Sequence, residues 1–325
     1  MKLKQIPEDF IVEEVINRNP KNEGRFALCW MTNKKYNTED AIKHISQELG
    51  KRRKDLSYSG TKDRRAITKQ LISIKNLKKT KLEKISLKDI KLTYFGQSNA
   101  PLNLGDHKGN NFKITVRKLK NPKINNKKPI LNLFGNQRFS THNIPIGKAI
   151  INANYEKACN IILQNDDWYD KNIKEILTKH PNDYVNALTN IPRRILQLYV
   201  HAYQSHIWNE TVKKYIQKKP NTKQKKIPIV GFGTRYKDEE VKKIIQTILK
   251  KENINERSFI IREIPRLSAE GTTRNILMEH KNLKIQKLKQ DDLNKGYQKT
   301  TISFYLPKGN YATQLIKQLI FKQNL

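Results

Sequence analysis

The chain is short of cysteine, of acid and of long apolar runs. Its 325 residues include two cysteines, Cys29 and Cys159, far apart and outside any Cys-x-x-Cys spacing. That count excludes a disulfide scaffold, and both thiols read as small buried groups in a protein of the reducing cytoplasm. No stretch reaches the roughly 18 consecutive apolar residues of a membrane span, and the first nine residues contain no apolar signal region. The seven histidines are scattered; His201 and His206, five apart, do not share a helical face, so a zinc site finds no support. No Gly-x-x-x-x-Gly-Lys-Ser/Thr loop occurs, and Gly231-Phe232-Gly233 lacks the third glycine of a dinucleotide fingerprint. The sequence therefore calls for no metal and no cofactor.

What it has in excess is positive charge. Against 30 Asp and Glu stand 65 Lys and Arg, a formal net charge of +35. Such a surplus repels itself and suits a polyanion such as RNA. The lysines are spread along the whole chain, so a general bias of composition inflates the figure. Length predicts one large or two medium domains, and an apolar fraction of 36% is enough for cores.

Periodicity predicts strand and helix in alternation over the first half. Residues 10–15, Phe-Ile-Val-Glu-Glu-Val, read as a short strand. Thr38-Glu39-Asp40 reads as a cap with acids in the first turn, followed by the helical stripe Ala41, Ile42, Ile45 and Leu49, which Gly50 closes. Residues 56–59 and 67–74 read as strands flanking a loop from Gly60 to Arg65. Phe112, Ile114 and Val116 alternate with Lys113, Thr115 and Arg117, which predicts a strand with one core face and one basic, wet face. From about Pro145 the pattern turns helical. Pro192 at a first helical position leads a stripe through Leu196, Tyr199, Tyr203, Ile207, Val212 and Ile216, read as core. Residues 118–129 and 217–228 read as solvated loops. Ile302, Phe304 and Leu306 predict a strand, 307–309 a turn, and Ala312 to Leu319 a terminal helix.

Asp63 is the acid that stands out. It follows a strand and Gly60 and is flanked by Lys62, Arg64 and Arg65. Spacing alone favours turn chemistry, with Asp bonding its own backbone. The other reading is a carboxylate kept ionised by neighbouring cations and able to act as a nucleophile.

Several segments in order resemble the TruD family of tRNA pseudouridine synthases. They are residues 7–14 (Pro-Glu-Asp-Phe-Ile-Val-Glu-Glu), Asn37-Thr38, residues 58–70 around Asp63, residues 104–112, residues 132–139 (Asn-Leu-Phe-Gly-Asn-Gln-Arg-Phe) and residues 306–313 (Leu-Pro-Lys-Gly-Asn-Tyr-Ala-Thr). The resemblance implies an α/β (α+β) fold: a pseudouridine-synthase mixed-sheet catalytic domain, residues 1–155 plus 286–325, with a helix-rich family-specific domain inserted at 156–285. It implies conversion of uridine to pseudouridine in tRNA, at position 13, without cofactor, and with other structured RNAs as further substrates. A monomer is the default.

By the same resemblance Asp63 is the catalytic nucleophile. Phe10, Phe134 and Tyr311 lie near the target nucleotide, Asn132 hydrogen-bonds it, and Lys62 is the cation beside the acid, with Glu14 as its partner. Gln137, Arg138 and Phe139 shape the same pocket. Each has a plainer reading: Phe10 as core on an alternating strand, Asn132 as a turn residue, Lys62 as a solvated lysine. Tyr311 stands where some members have Phe, which keeps stacking but gives the hydroxyl a partner to find. The competing function is a non-catalytic basic RNA-binding protein, for which an acid amid basic residues has no use.

Overall fold

A computed structural model describes residues 1–82, 85–125, 129–164, 169–222 and 226–321, except for the side chains of Asn136 and Gln137. In chain order its strands are β1 (Phe10–Ile16), β2 (Phe26–Lys34), β3 (Leu56–Tyr58), β4 (Ile67–Lys75), β5 (Ile90–Ser98), β6 (His107–Leu119), β7 (Lys226–Ile229), β8 (Thr272–Asn275), β9 (Lys281–Ile285), β10 (Lys289–Gln290) and β11 (Gln298–Pro307). The chain divides into two compact units, residues 1–125 with 279–312, and residues 126–278 with 313–325. Residues 129–155 and 313–321, expected with the catalytic domain, thus pack with the helix-rich unit, and residues 279–285, expected with the inserted domain, belong to the first unit. Two contacts account for this. The helix Asn143–Ile151 packs on the helix Arg193–Lys218. The Gln318 amide accepts from Leu131 N (2.7 Å) and donates to Leu131 O (2.8 Å).

The first unit is a mixed sheet in the order β10-β11-β6-β1-β4-β2-β5, with β3 on β4 and β9 on β11. β1 and β4 run parallel, and the remaining pairs are antiparallel. The helix Thr38–Glu48 lays Ala41, Ile42 and Ile45 on Ala27, Cys29, Met31, Ile72 and Ile74. The other face of the same strands buries Leu28 and Leu71 with Leu102, against Trp30 and Phe95. β2 is therefore covered on both sides, and its apolar run shows no alternation to announce it. The helix cap is Asn37, not Thr38: Asn37 Oδ1 accepts from Asp40 N at 2.8 Å, which releases the Thr38 side chain for the loop described below.

One expectation for β6 is corrected. Arg117 is not on a wet face; it is 4% exposed. Its guanidinium bonds Asp9 (2.7 Å), Asp291 (2.9 Å) and Asp292 (2.6 Å). Burial works against the Asp291 charge, but hydrogen bonds from Lys118 N, Leu293 N, Asn294 and Arg117 hold its carboxyl down at about 2. Both cysteines are buried, and burial raises their thiols to about 12, leaving them inert.

In the second unit the helix Arg193–Lys218 starts one residue after the expected position, with Pro192 as its cap. It buries Leu196, Tyr199, Tyr203, Ile207, Val212 and Ile216, the stripe read as core, and Trp208 beside them. Gly147 is required where Asn143–Ile151 crosses it, since a Cβ there would lie 2.1 Å from the Tyr199 carbonyl oxygen. β7 and β8 form a small antiparallel sheet. The two expected loops are shorter than read. Residues 118–119 belong to β6, 217–218 to the long helix and 226–228 to β7, while 126–128 and 223–225 lie outside the described residues. Among the described residues no helix is long and apolar enough to cross a membrane.

Candidate active site

The loop between β3 and β4 carries the acid, and side chains from neighbouring elements pin it from below. Lys62 N–H donates to Thr38 Oγ1 (2.8 Å), and that hydroxyl donates to Gln70 Oε1 (3.0 Å). Gln70 Nε2 in turn donates to Gly60 O (3.3 Å). The Lys62 ammonium bonds Glu14 Oε2 at 2.8 Å, with side chains 6% and 0% exposed. The other Glu14 oxygen accepts from Ser59 Oγ (2.6 Å). A buried acid and a buried lysine each need the other, since either left alone would face the full cost of desolvation. His107 Nδ1 lies 3.1 Å from Ser59 O; because a carbonyl only accepts, this nitrogen carries the proton. Gly60 leaves room for that ring, as a Cβ would sit 3.1 Å from His107 Cε1.

Asp63 itself is turned outward, its side chain 46% exposed, and it pairs with Lys4. The same Lys4 ammonium lies over the Phe10 ring, 4.2 Å from its centroid. Phe10 is 4% exposed and meets Phe112 edge-on at 6.1 Å, and Phe112 stacks on Phe304 at 5.4 Å. One cation thus joins the carboxylate to an aromatic face. The cations next to Asp63 in sequence are engaged elsewhere: Lys62 with Glu14, and Arg64 Nε with Lys35 O at 3.1 Å. Lys4 had no signal in a chain so rich in lysine.

Tyr311 is half-buried in the turn after β11. That turn is tied to the acid's loop through one intermediary. Lys308 Nζ donates to Gly105 O (2.9 Å), and Gly105 N–H donates to Ser59 O (2.8 Å). Phe10, Lys62 and Asp63 are therefore assembled within the first unit, with the Tyr311 turn bonded to the same frame.

Asn132 and Phe134 belong to the second unit and share a frame of their own. Asn132 N–H donates to Ile276 O (2.7 Å). Phe134 exchanges two bonds with Asn209: its N–H donates to Oδ1 (2.9 Å), and its carbonyl accepts from Nδ2 (3.1 Å). The Phe134 ring meets Trp208 edge-on at 5.6 Å, and Arg274 lies over it at 4.2 Å. Arg274 also donates to Asn132 Oδ1 (2.6 Å) and Asn132 O (3.0 Å). Arg138 Nε donates to Ser205 Oγ (2.9 Å), a bond to a hydroxyl. Gln137, expected beside it, has its side chain outside the described residues. Sequence reasoning missed Arg274, as it missed Lys4, because neither sits in a motif quoted for the resemblance.

The sequence profile of tRNA pseudouridine synthase D (TruD) matches residues 1–174, 163–226 and 221–319. The chain belongs to the TruD family. Its relatives include the "Probable tRNA pseudouridine synthase D 2" of Methanocaldococcus jannaschii, 34% identical over 98% of this chain and 91% of that protein. A second, the "Probable tRNA pseudouridine synthase D" of Nanoarchaeum equitans, is 30% identical over 99% of both. A crystal structure of a TruD protein from Methanosarcina mazei is 27% identical, covering 98% of this chain and 93% of that one, with a TM-score of 0.84. As a TruD protein the chain is an isomerase, a tRNA pseudouridine synthase. Its mixed sheet with an added helix-rich unit is the architecture that the resemblance implied.

Proposed function

We propose that this TruD enzyme isomerises uridine 13 of tRNA, with Asp63 as nucleophile and without a cofactor. The observation that carries this reading is the setting of Asp63: an outward acid on a loop pinned through Lys62 and Glu14, with the Lys4 ammonium against it and over Phe10. The isomerisation breaks the N1–C1′ bond, turns the uracil and joins C5 to C1′. One proton leaves C5 and one is gained at N1, so no electrons are exchanged with an outside partner. A carboxylate that adds to the nucleoside and departs again satisfies that balance. Lys4 is the cation paired with that carboxylate before it adds.

The target base must leave its stack, which costs a few kcal/mol, and stacking on an aromatic ring returns roughly 1–3 kcal/mol. Phe10, Phe134 and Tyr311 are the rings proposed for this, Asn132 the hydrogen-bonding side chain, and Lys62 the cation that supports the nucleotide and the loop. The unit of residues 1–125 and 279–312 is then the catalytic one. The excess of 35 positive charges supports a polyanionic substrate. We take the enzyme to act as a monomer in the cytoplasm, where its buried free thiols persist.

The test incubates the wild type and Asp63→Asn with tRNA transcripts and maps pseudouridine by reverse-transcription stops. Product at position 13 with the wild type and none with Asp63→Asn is expected. Product from the Asn variant would remove Asp63 from the mechanism, and a wild type inactive on every structured RNA would remove the reaction.

A further inference from the structure

We infer that Arg274 is a positioning residue that fixes the polarity of the Asn132 amide, so that Asn132 presents donors and the group it reads is a carbonyl oxygen of the base. The inference rests on the proposed function, in which Asn132 contacts the target nucleotide. An asparagine side chain has an accepting end and a donating end, and which one faces a ligand is set by its other partners. A guanidinium has donors only. With Arg274 Nη2 2.6 Å from Oδ1, the oxygen is committed to the guanidinium and the two Nδ2 protons form the other end. Arg274 Nε holds the carbonyl of the same residue at 3.0 Å, so side chain and main chain are gripped by one planar fork.

The fork is itself fixed. Arg274 Cζ lies 4.2 Å from the Phe134 centroid and 5.5 Å from that of Trp208, a ring with no exposed surface. β8 delivers it, paired with β7 through Arg274 and Ile227. One side chain thus orients both second-unit residues assigned to the nucleotide, Asn132 through its amide and Phe134 through its ring. Uracil offers acceptors at O2 and O4 and a donor at N3–H. An amide held this way matches a carbonyl and opposes N3–H.

The experiment compares Asn132→Asp, Arg274→Lys and Arg274→Gln with the wild type by melting temperature and by kcat and KM on a tRNA transcript. Transcript Kd is measured for wild-type Asn132 and Asn132→Asp in an Asp63→Asn background. Asn132→Asp gains a charge partner in Arg274, so its melting temperature should hold or rise. It now shows the nucleotide an acceptor, so KM should rise about 10- to 100-fold with a smaller change in kcat. Lysine also only donates, so Arg274→Lys should keep KM within several-fold of the wild type. Glutamine can accept and lets the amide turn, so Arg274→Gln should approach the Asn132→Asp value. A wild-type KM in Asn132→Asp, a lowered melting temperature in that variant, or an Arg274→Gln no worse than Arg274→Lys would each overturn the inference. Should Arg274→Gln not fold, Asn132→Asp decides alone. A wild type that makes no pseudouridine defeats the functional reading instead, and the Kd comparison then still reports the polarity of residue 132.

Discussion

The acid-bearing loop of the first unit is held by a buried ion pair added to neutral bonds from Thr38, Gln70 and His107, and the Asn132–Phe134 segment of the second by neutral bonds and one guanidinium laid over two rings. In the first, Glu14 and Lys62 are nearly sealed from water and Lys4 meets Asp63. In the second, Asn209 exchanges two main-chain bonds with Phe134, and Arg274 bridges Asn132 to the aromatic pair. Charge pairs in low dielectric fail abruptly, because losing one partner strands the other. Neutral frames lose about 1 kcal/mol for each bond removed and degrade by steps. The unit proposed to do bond-breaking thus has the brittle support, and the segment proposed to recognise the base has the graded one.

The sharpest way to test this contrast is at the acid. Asp63→Asn should lower product formation by about 10⁴-fold or more, as loss of a nucleophile does, while filter binding of tRNA stays near the wild-type value because phosphate contacts dominate affinity. Next comes Glu14→Gln, which leaves a buried ammonium without a counter-charge and should cost about 3–5 kcal/mol in urea unfolding. The double variant Glu14→Leu with Lys62→Met should recover much of that stability. If it is stable yet inactive, the Lys62 ammonium serves the nucleotide as well as the loop.

A smaller effect belongs to the second unit. Phe134→Leu shrinks a buried side chain and should cost about 1–2 kcal/mol of stability, less than Glu14→Gln, and raise KM about 10-fold through lost base stacking, with kcat less affected. A variant as damaging as Glu14→Gln would erase the distinction between brittle and graded support.

The smallest expected effect is that of acid on the first unit. Asp291 is held at about 2, below its ordinary 3.8, by Lys118 N, Leu293 N, Asn294 and Arg117 acting against burial. Its folded value lies below its unfolded one. It therefore adds stability above about pH 4, and that share is lost as pH falls from 4 toward 2. Hydrogen exchange at pH 3 should show residues around Leu119 and Asp291 opening before those of the Arg193–Lys218 helix. Equal loss in both units would count against a special role for the Arg117 cluster.

Much of the frame was legible in sequence because its signals are local. The helix stripe of Ala41, Ile42 and Ile45 and the alternation of Ile302, Phe304 and Leu306 follow from period alone, and both are buried as read. β2 was not legible, since a strand covered on both faces shows no alternation. Arg117 was misread for a related reason. Alternation placed it opposite Ile114 and Val116, and nothing nearby in sequence shows that Asp9, Asp291 and Asp292 close over it.

The sequence by itself determined which acid to examine and which family to compare, because the residues around Asp63 form a contiguous motif in an ordered set. Only the tertiary structure decided which cation meets that acid. Among the described lysines and arginines it is Lys4, 59 positions away, rather than the three adjacent ones. It also decided that Asn132 answers to Arg274, 142 positions on. Ion pairing and amide polarity depend on distances between strands that are remote in the chain, and periodicity along a sequence holds no record of those distances.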